Sequence, residues 1–129
     1  MKPTKILLSV LLATVVSLTA ILAASAASKV VDSYCSPTGD YCTLIVKKAD
    51  GSIVFSIRAF ANYFGRATAC VKKETRACHS TAPRKDGGLY FWNIRRQGNY
   101  PNEGPGEYKV RWRDSAGNAI GPALYFRRG

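Results

Sequence analysis

Between residues 42 and 129 the chain repeats one arrangement: a short run rich in apolar residues, then a cluster of Gly, Asp, Asn or Pro, about every ten positions. A helix would need longer runs with apolar residues three and four apart, and no such periodicity follows residue 26. The pattern predicts seven strands, at 43–47, 53–60, 67–72, 76–80, 89–95, 107–113 and 120–126. Ala49-Asp50-Gly51, Lys85-Asp86-Gly87-Gly88 and the stretch from Asp114 to Asn118 mark turns between them. Alternation then assigns faces, because successive side chains of a strand point to opposite sides. Ile53, Phe55 and Ile57 share one side, as do Tyr108, Val110 and Trp112. On the last strand Ile120, Pro122, Leu124 and Phe126 align, with Tyr125 and Arg127 on the reverse. A one-residue slip would carry Lys109, Arg111 and Arg113 into the core, so the register is strongly specified. Residues 89–94 are apolar on both sides, which predicts a central strand or a partly exposed aromatic surface. An all-β sandwich or barrel is the expected class.

The amino end reads differently. Lys2 and Lys5 precede 19 uncharged residues, 6–24, and the small residues Ala24-Ser25-Ala26 follow as an A-x-A cleavage pattern. Residues 1–26 are expected to be a helical signal peptide, with Ala27 as the mature start. The apolar stretch also reaches the roughly 18 residues that can span a bilayer, so an uncleaved anchor is the alternative. Either way the two lysines orient the chain so that everything after the signal is secreted or faces the extracytoplasmic side. No later segment is long or apolar enough to cross a membrane. The remaining residues suffice for one domain. Two of the 19 Lys and Arg fall in the signal, leaving 17 against 8 acidic residues, a net charge of +9. That balance suits polyanions. An anionic wall polymer or a protein is the expected partner, and nucleic acid is not.

Four cysteines in an exported domain read as two disulfides, for which three connectivities exist. The local pairs Cys35–Cys42 and Cys70–Cys78 are favoured. Residues 70–78 look like a hairpin with Lys73-Glu74-Thr75 at its tip, and Pro37, Gly39 and Asp40 let the chain double back between 35 and 42. Both spacings are wider than the C-x2–4-C pairs of zinc sites.

The stretch Gly106-Glu-Tyr108-Lys-Val110-Arg-Trp112-Arg-Asp114-Ser-Ala116-Gly117-Asn118 resembles the last hairpin of bacterial immunoglobulin-like domains, which commonly show G-x-Y-x-V-x-(x)-x-D-x-A-G-N there. The resemblance implies an immunoglobulin-like or fibronectin-III-like antiparallel sandwich of about seven strands over residues 42–129, preceded by an extended segment, 27–41. It also implies that Tyr108 is buried at a corner with its hydroxyl bonded to nearby backbone, Pro101 and Pro105 lying just upstream. The cysteines are not placed to bridge two sheets behind a central tryptophan, so that disulfide does not carry over. Such sandwiches serve as adhesins, binding modules and spacers alike, so the resemblance says little about function.

Catalytic chemistry finds little support. His79 is the sole histidine and lacks a neighbouring nucleophile, which fits a solvated side chain better than a triad. Glu103 and Glu107 lie in a Gly/Pro-rich corner rather than facing each other across a cleft. No phosphate loop or acidic calcium loop occurs, and no cofactor or metal is expected. Tyr90, Phe91, Trp92, Tyr100 and Tyr125 could stack on sugars, but alternation sends half of any strand inward. Trp112 and Trp92 are expected in the core, whereas exposure of Trp92 or Tyr90 beside Tyr125 would favour carbohydrate binding.

The basic ladder Lys109, Arg111, Arg113 is the most suggestive feature. In an immunoglobulin-like arrangement its strand would neighbour those bearing Lys72 and Arg127, giving a cationic stripe with Tyr125 among the charges. Such a stripe could equally be an ordinary solvated face. The expected function is a non-catalytic binding module for an anionic envelope component or a protein. The alternative is a secreted cationic effector or inhibitor acting on other cells or their enzymes.

Overall fold

The computed structural model describes residues 28–95 and 100–129, and its elements are strands. These are β1 (Lys29–Cys35), β2 (Tyr41–Lys47), β3 (Ile53–Ala59), β4 (Ala67–Lys72), β5 (Arg76–Thr81), β6 (Arg84–Asp86), β7 (Leu89–Ile94), β8 (Gly106–Arg113) and β9 (Leu124–Arg128). The expected signal helix and its cleavage point lie outside the described residues. Among the described residues no helix is long and apolar enough to cross a membrane.

Local chemistry explains where the strands stop. The β2–β3 and β8 turns share one construction. Lys48 N–H bonds the Ser52 carbonyl and Gly51 N–H the Lys48 carbonyl; Asp114 N–H bonds the Asn118 carbonyl and Gly117 N–H the Asp114 carbonyl. A carboxylate locks each: Asp50 Oδ1 accepts from Ser52 N–H, and Asp114 Oδ1 from Ala116 and Asn118 N–H. Gly87 and Gly88 both have positive φ (58° and 86°), as a two-residue hairpin of matching twist requires, and they fold β6 onto β7.

The strands assemble into two antiparallel sheets, β1-β2-β3-β7-β6 and β5-β4-β8-β9. This is the all-β, sandwich-like architecture expected. Ile45, Phe55, Ile57 and Trp92 from the larger sheet meet Val71, Tyr108, Val110, Trp112, Leu124 and Phe126 from the smaller, all essentially buried. Burying each such side chain stabilises by roughly 1.5–3 kcal/mol. The Tyr108 and Phe126 rings stack at 5.0 Å, and Phe55 packs tilted against Phe126 at 5.8 Å.

Three features depart from expectation. Residues 29–35, read as an extended segment ahead of the sandwich, form β1 and pair with β2 from Lys29↔Lys47 to Cys35↔Cys42, with a bulge at Val31. Residues 84–86, of which Lys85 and Asp86 belong to the expected turn, form β6. The last strand begins at Leu124 rather than residue 120. Gly121 has φ +67°, so the chain bends there and Pro122 turns outward while Ile120, Leu124 and Phe126 stay buried. Tyr34 presses against that bend; a Cβ on Gly121 would lie 2.9 Å from its ring.

Both disulfides form locally, as favoured. Cys35–Cys42 joins β1 to β2 and Cys70–Cys78 joins β4 to β5, each between partners in register. All four cysteines are thereby occupied, neither bridge crosses between sheets, and the pairing fits an oxidising compartment.

Candidate anion-binding face

The outward side of the smaller sheet is set by alternation and register. On β8, Tyr108, Val110 and Trp112 are buried, so Glu107, Lys109, Arg111 and Arg113 project outward. Pairing then fixes their neighbours: Lys72 on β4 opposes Lys109, Cys70 opposes Arg111, and Thr68 opposes Arg113. On the other flank Tyr125 opposes Lys109 and Arg127 opposes Glu107. The expected residues Lys72, Lys109, Arg111, Arg113, Tyr125 and Arg127 therefore do share one face.

The structure adds Arg76. It opposes Lys72 across the β4–β5 hairpin and completes the row Arg76, Lys72, Lys109, Tyr125. The cysteine spacing already contained this signal, because pairing Cys70 with Cys78 places 72 opposite 76. Directly opposed residues have Cβ atoms about 5 Å apart, and alternate residues along a strand lie about 6.8 Å apart. Cys70, Lys72, Arg76, Lys109, Arg111 and Arg113 line a basin of about 190 Å³, with no carboxylate in its lining. Tyr125, 43% exposed, and Arg127 stand beside the basin rather than in it.

Several carboxylates elsewhere bond backbone N–H groups. Asp32 Oδ2 accepts from Tyr125 N–H at 2.8 Å, which joins β1 to the edge of β9. Glu103 clasps the tip of the β4–β5 hairpin, accepting from Glu74 N–H at 2.8 Å and Thr75 N–H at 3.0 Å. Those bonds, with that from Thr75 the stronger influence, hold the Glu103 carboxyl below the ordinary carboxylate range, and the Lys73 charge adds to the effect. Glu103 is held in turn by Tyr108, whose hydroxyl accepts from Glu103 N–H (3.1 Å) and donates to the Gly104 carbonyl (2.7 Å). A chain of contacts thus runs from a core tyrosine to the hairpin that carries Lys72 and Arg76. Arg113 Nη1 donates to the Gly117 carbonyl at 3.1 Å, which ties the far end of the ladder to its turn. Thr68 and Ser80 hydroxyls meet at 2.7 Å across β4 and β5.

Trp92, Tyr90 and Tyr125 do not come together as a platform for sugars. Trp92 is fully buried, with its Nε1 donating to the Gly65 carbonyl at 2.7 Å, and Tyr90 packs beside it on the larger sheet. Tyr125 lies on the other sheet, facing away from both. Trp112 is buried as expected. His79 is exposed at the edge strand β5. Glu103 serves the clasp, whereas Glu107 faces outward opposite Arg127.

Comparison with known protein families, curated proteins and solved structures finds no match to this chain.

Proposed function

We propose that this chain is an exported, non-catalytic binding module that holds an anionic envelope polymer against the outward face of its smaller sheet. One observation carries the reading: five cations from three adjacent strands surround a single basin that no carboxylate lines. Their spacing of about 5–7 Å along and across the strands suits a polymer with repeating charges better than one compact ligand. Guanidinium groups contribute paired hydrogen bonds to oxyanions, and the ammonium groups contribute charge.

The strand order supports an immunoglobulin-like reading of the fold. The order β2-β3-β7-β6 packed on β5-β4-β8-β9 parallels the ABED and C′CFG sheets of that fold, with β1 added at the edge. Tyr108, at the start of β8 and bonded to Gly104 upstream, parallels the tyrosine corner. In this reading the ladder strand is F, the middle of its sheet, so the fold presents it flanked on both sides.

The test is retention on beads carrying a wall-derived or heparin-like polyanion, measured against salt. Affinity should fall steeply with ionic strength. Lys109→Gln with Arg111→Gln should reduce the slope of log affinity against log salt by about two, one for each cation removed. Retention that is insensitive to salt would overturn the proposal. Growth inhibition of other cells without polymer retention would favour the cationic effector instead.

A further inference from the structure

The opposite sheet holds a second cationic cluster of a different kind. On β3, Arg58 lies in register with Phe91 of β7, and Phe91 lies in register with Arg84 of β6. The Arg58 guanidinium sits over the Phe91 ring, 4.6 Å from its centroid. Its Nη1 donates to Asn93 Oδ1 at 2.8 Å, and the Ser56 hydroxyl donates to the same oxygen at 2.7 Å. Both acceptor sites of that oxygen are taken, which leaves the Asn93 N–H groups as donors. Arg58 Nε is buried and has no partner. Above these groups Thr81, Ala82, Arg84, Phe91, Asn93 and Arg95 line an open depression of about 410 Å³.

Three arginines thus converge where the lining holds no acid. Asp86, two residues from Arg84 along β6, does not line the depression, and among the described residues no ion pair engages any of the three arginines. Burial, then the charges of Arg95 and Arg84, push Arg58 down to about 10, so it remains cationic near neutrality. Like charges gathered on a partly desolvated floor disfavour one another, and a bound anion would relieve that repulsion. The ladder on the other sheet is a spread, solvated row. This cluster is a recess with an oriented amide, a stacked guanidinium and two flanking arginines, which suits one compact group.

We propose that the depression between β6 and β7 binds a tetrahedral oxyanion group, phosphoryl or sulfuryl, with Arg84 and Arg95 flanking it, Asn93 donating from below and Arg58 supplying positive charge beneath. Two arginine forks match terminal oxygens of such a group, and each contact is charge-assisted. The site lies on the sheet opposite the polymer-binding basin and does not depend on that reading.

The experiment titrates the exported protein with inorganic phosphate and with inorganic sulfate, holding ionic strength constant with chloride. Amide shifts of Phe91 and Asn93 are followed by NMR. Saturable shifts at these residues are expected, with affinity about tenfold or more weaker in Arg84→Gln with Arg95→Gln, since a charge-assisted hydrogen bond contributes enough for such a factor. Arg84→Lys keeps the charge but loses the fork, so an intermediate loss is expected and foldedness is not at issue. Lys109→Gln with Arg111→Gln, on the other sheet, should leave the shifts within about twofold of the parent. Response to both anions supports the oxyanion class, and response to phosphate alone narrows it to phosphoryl groups. Absence of saturable shifts with either anion overturns the proposal, as does loss of binding in the ladder variant but not in the Arg84/Arg95 variant.

Discussion

Gly121 and Glu103 show how single residues set the geometry of their surroundings. At Gly121 the left-handed backbone and the Tyr34 ring act against any side chain. Gly121→Ala should therefore lower stability by about 1–3 kcal/mol in urea unfolding. Made instead in a Tyr34→Ala background, the same substitution should cost less, since only the backbone component then remains. Glu103 acts through charge. Its carboxyl titrates below the ordinary range because the folded state offers it backbone N–H donors. A lowered carboxylate stabilises above its unfolded value, and that contribution disappears as pH falls through the folded one. Glu103→Gln should consequently melt at a lower temperature than the parent near neutral pH. The gap should narrow on acidification below the carboxylate range, as parallel thermal scans would show.

At the level of strands, sequence patterns revealed those that carry a clean apolar side. β8 is the clearest: Tyr108, Val110 and Trp112 alternate with Lys109, Arg111 and Arg113, and both the buried and the outward sets follow from that reading. β6 left no such trace, because Arg84-Lys85-Asp86 holds no apolar residue and exists by pairing with β7 through Gly87-Gly88. β1 was obscured similarly, its Asp32 and Ser33 interrupting the apolar positions, although the Cys35–Cys42 spacing marks the hairpin it belongs to. The start of β9 is hidden in the sequence because Ile120, Leu124 and Phe126 keep an even spacing across a bend that the spacing does not reveal. The ladder itself is legible from the alternation along β8, and the immunoglobulin-like resemblance supplies its neighbours, although Lys72 and Lys109 are far apart in sequence. No comparable pattern marks the Arg58 cluster, which needs both the β3–β7 pairing and the short strand β6. The hairpin bridges are also testable at this level. Replacing Cys70 and Cys78 together by Ser should cost roughly 2–3 kcal/mol by the loop-entropy relation. It should also weaken polyanion retention, because Lys72 and Arg76 would lose their shared anchor.

For the molecule as a whole, the allocation of charge is the organising fact. Asp32, Asp50, Glu103 and Asp114 are engaged by backbone N–H groups, so much of the acidic complement holds turns and edges together while cations face solvent on both sheets. High salt should thus weaken ligand binding strongly while changing unfolding free energy little, because the short carboxylate–backbone bonds are screened far less than separated surface charges. Urea curves and retention assays at matched salt would check the contrast. The hairpin bridge nearest the amino end has a mechanical side as well. If the domain is pulled from a membrane attachment ahead of residue 28, tension enters at Lys29 and peels β1 from β2 one pair at a time toward the turn. At Cys35 the load passes through sulfur directly to Cys42, bypassing residues 36–41. The bridge acts as a stop: it limits the first extension to the seven residues of β1 and delivers further force to β2, which is still held along its length by β3.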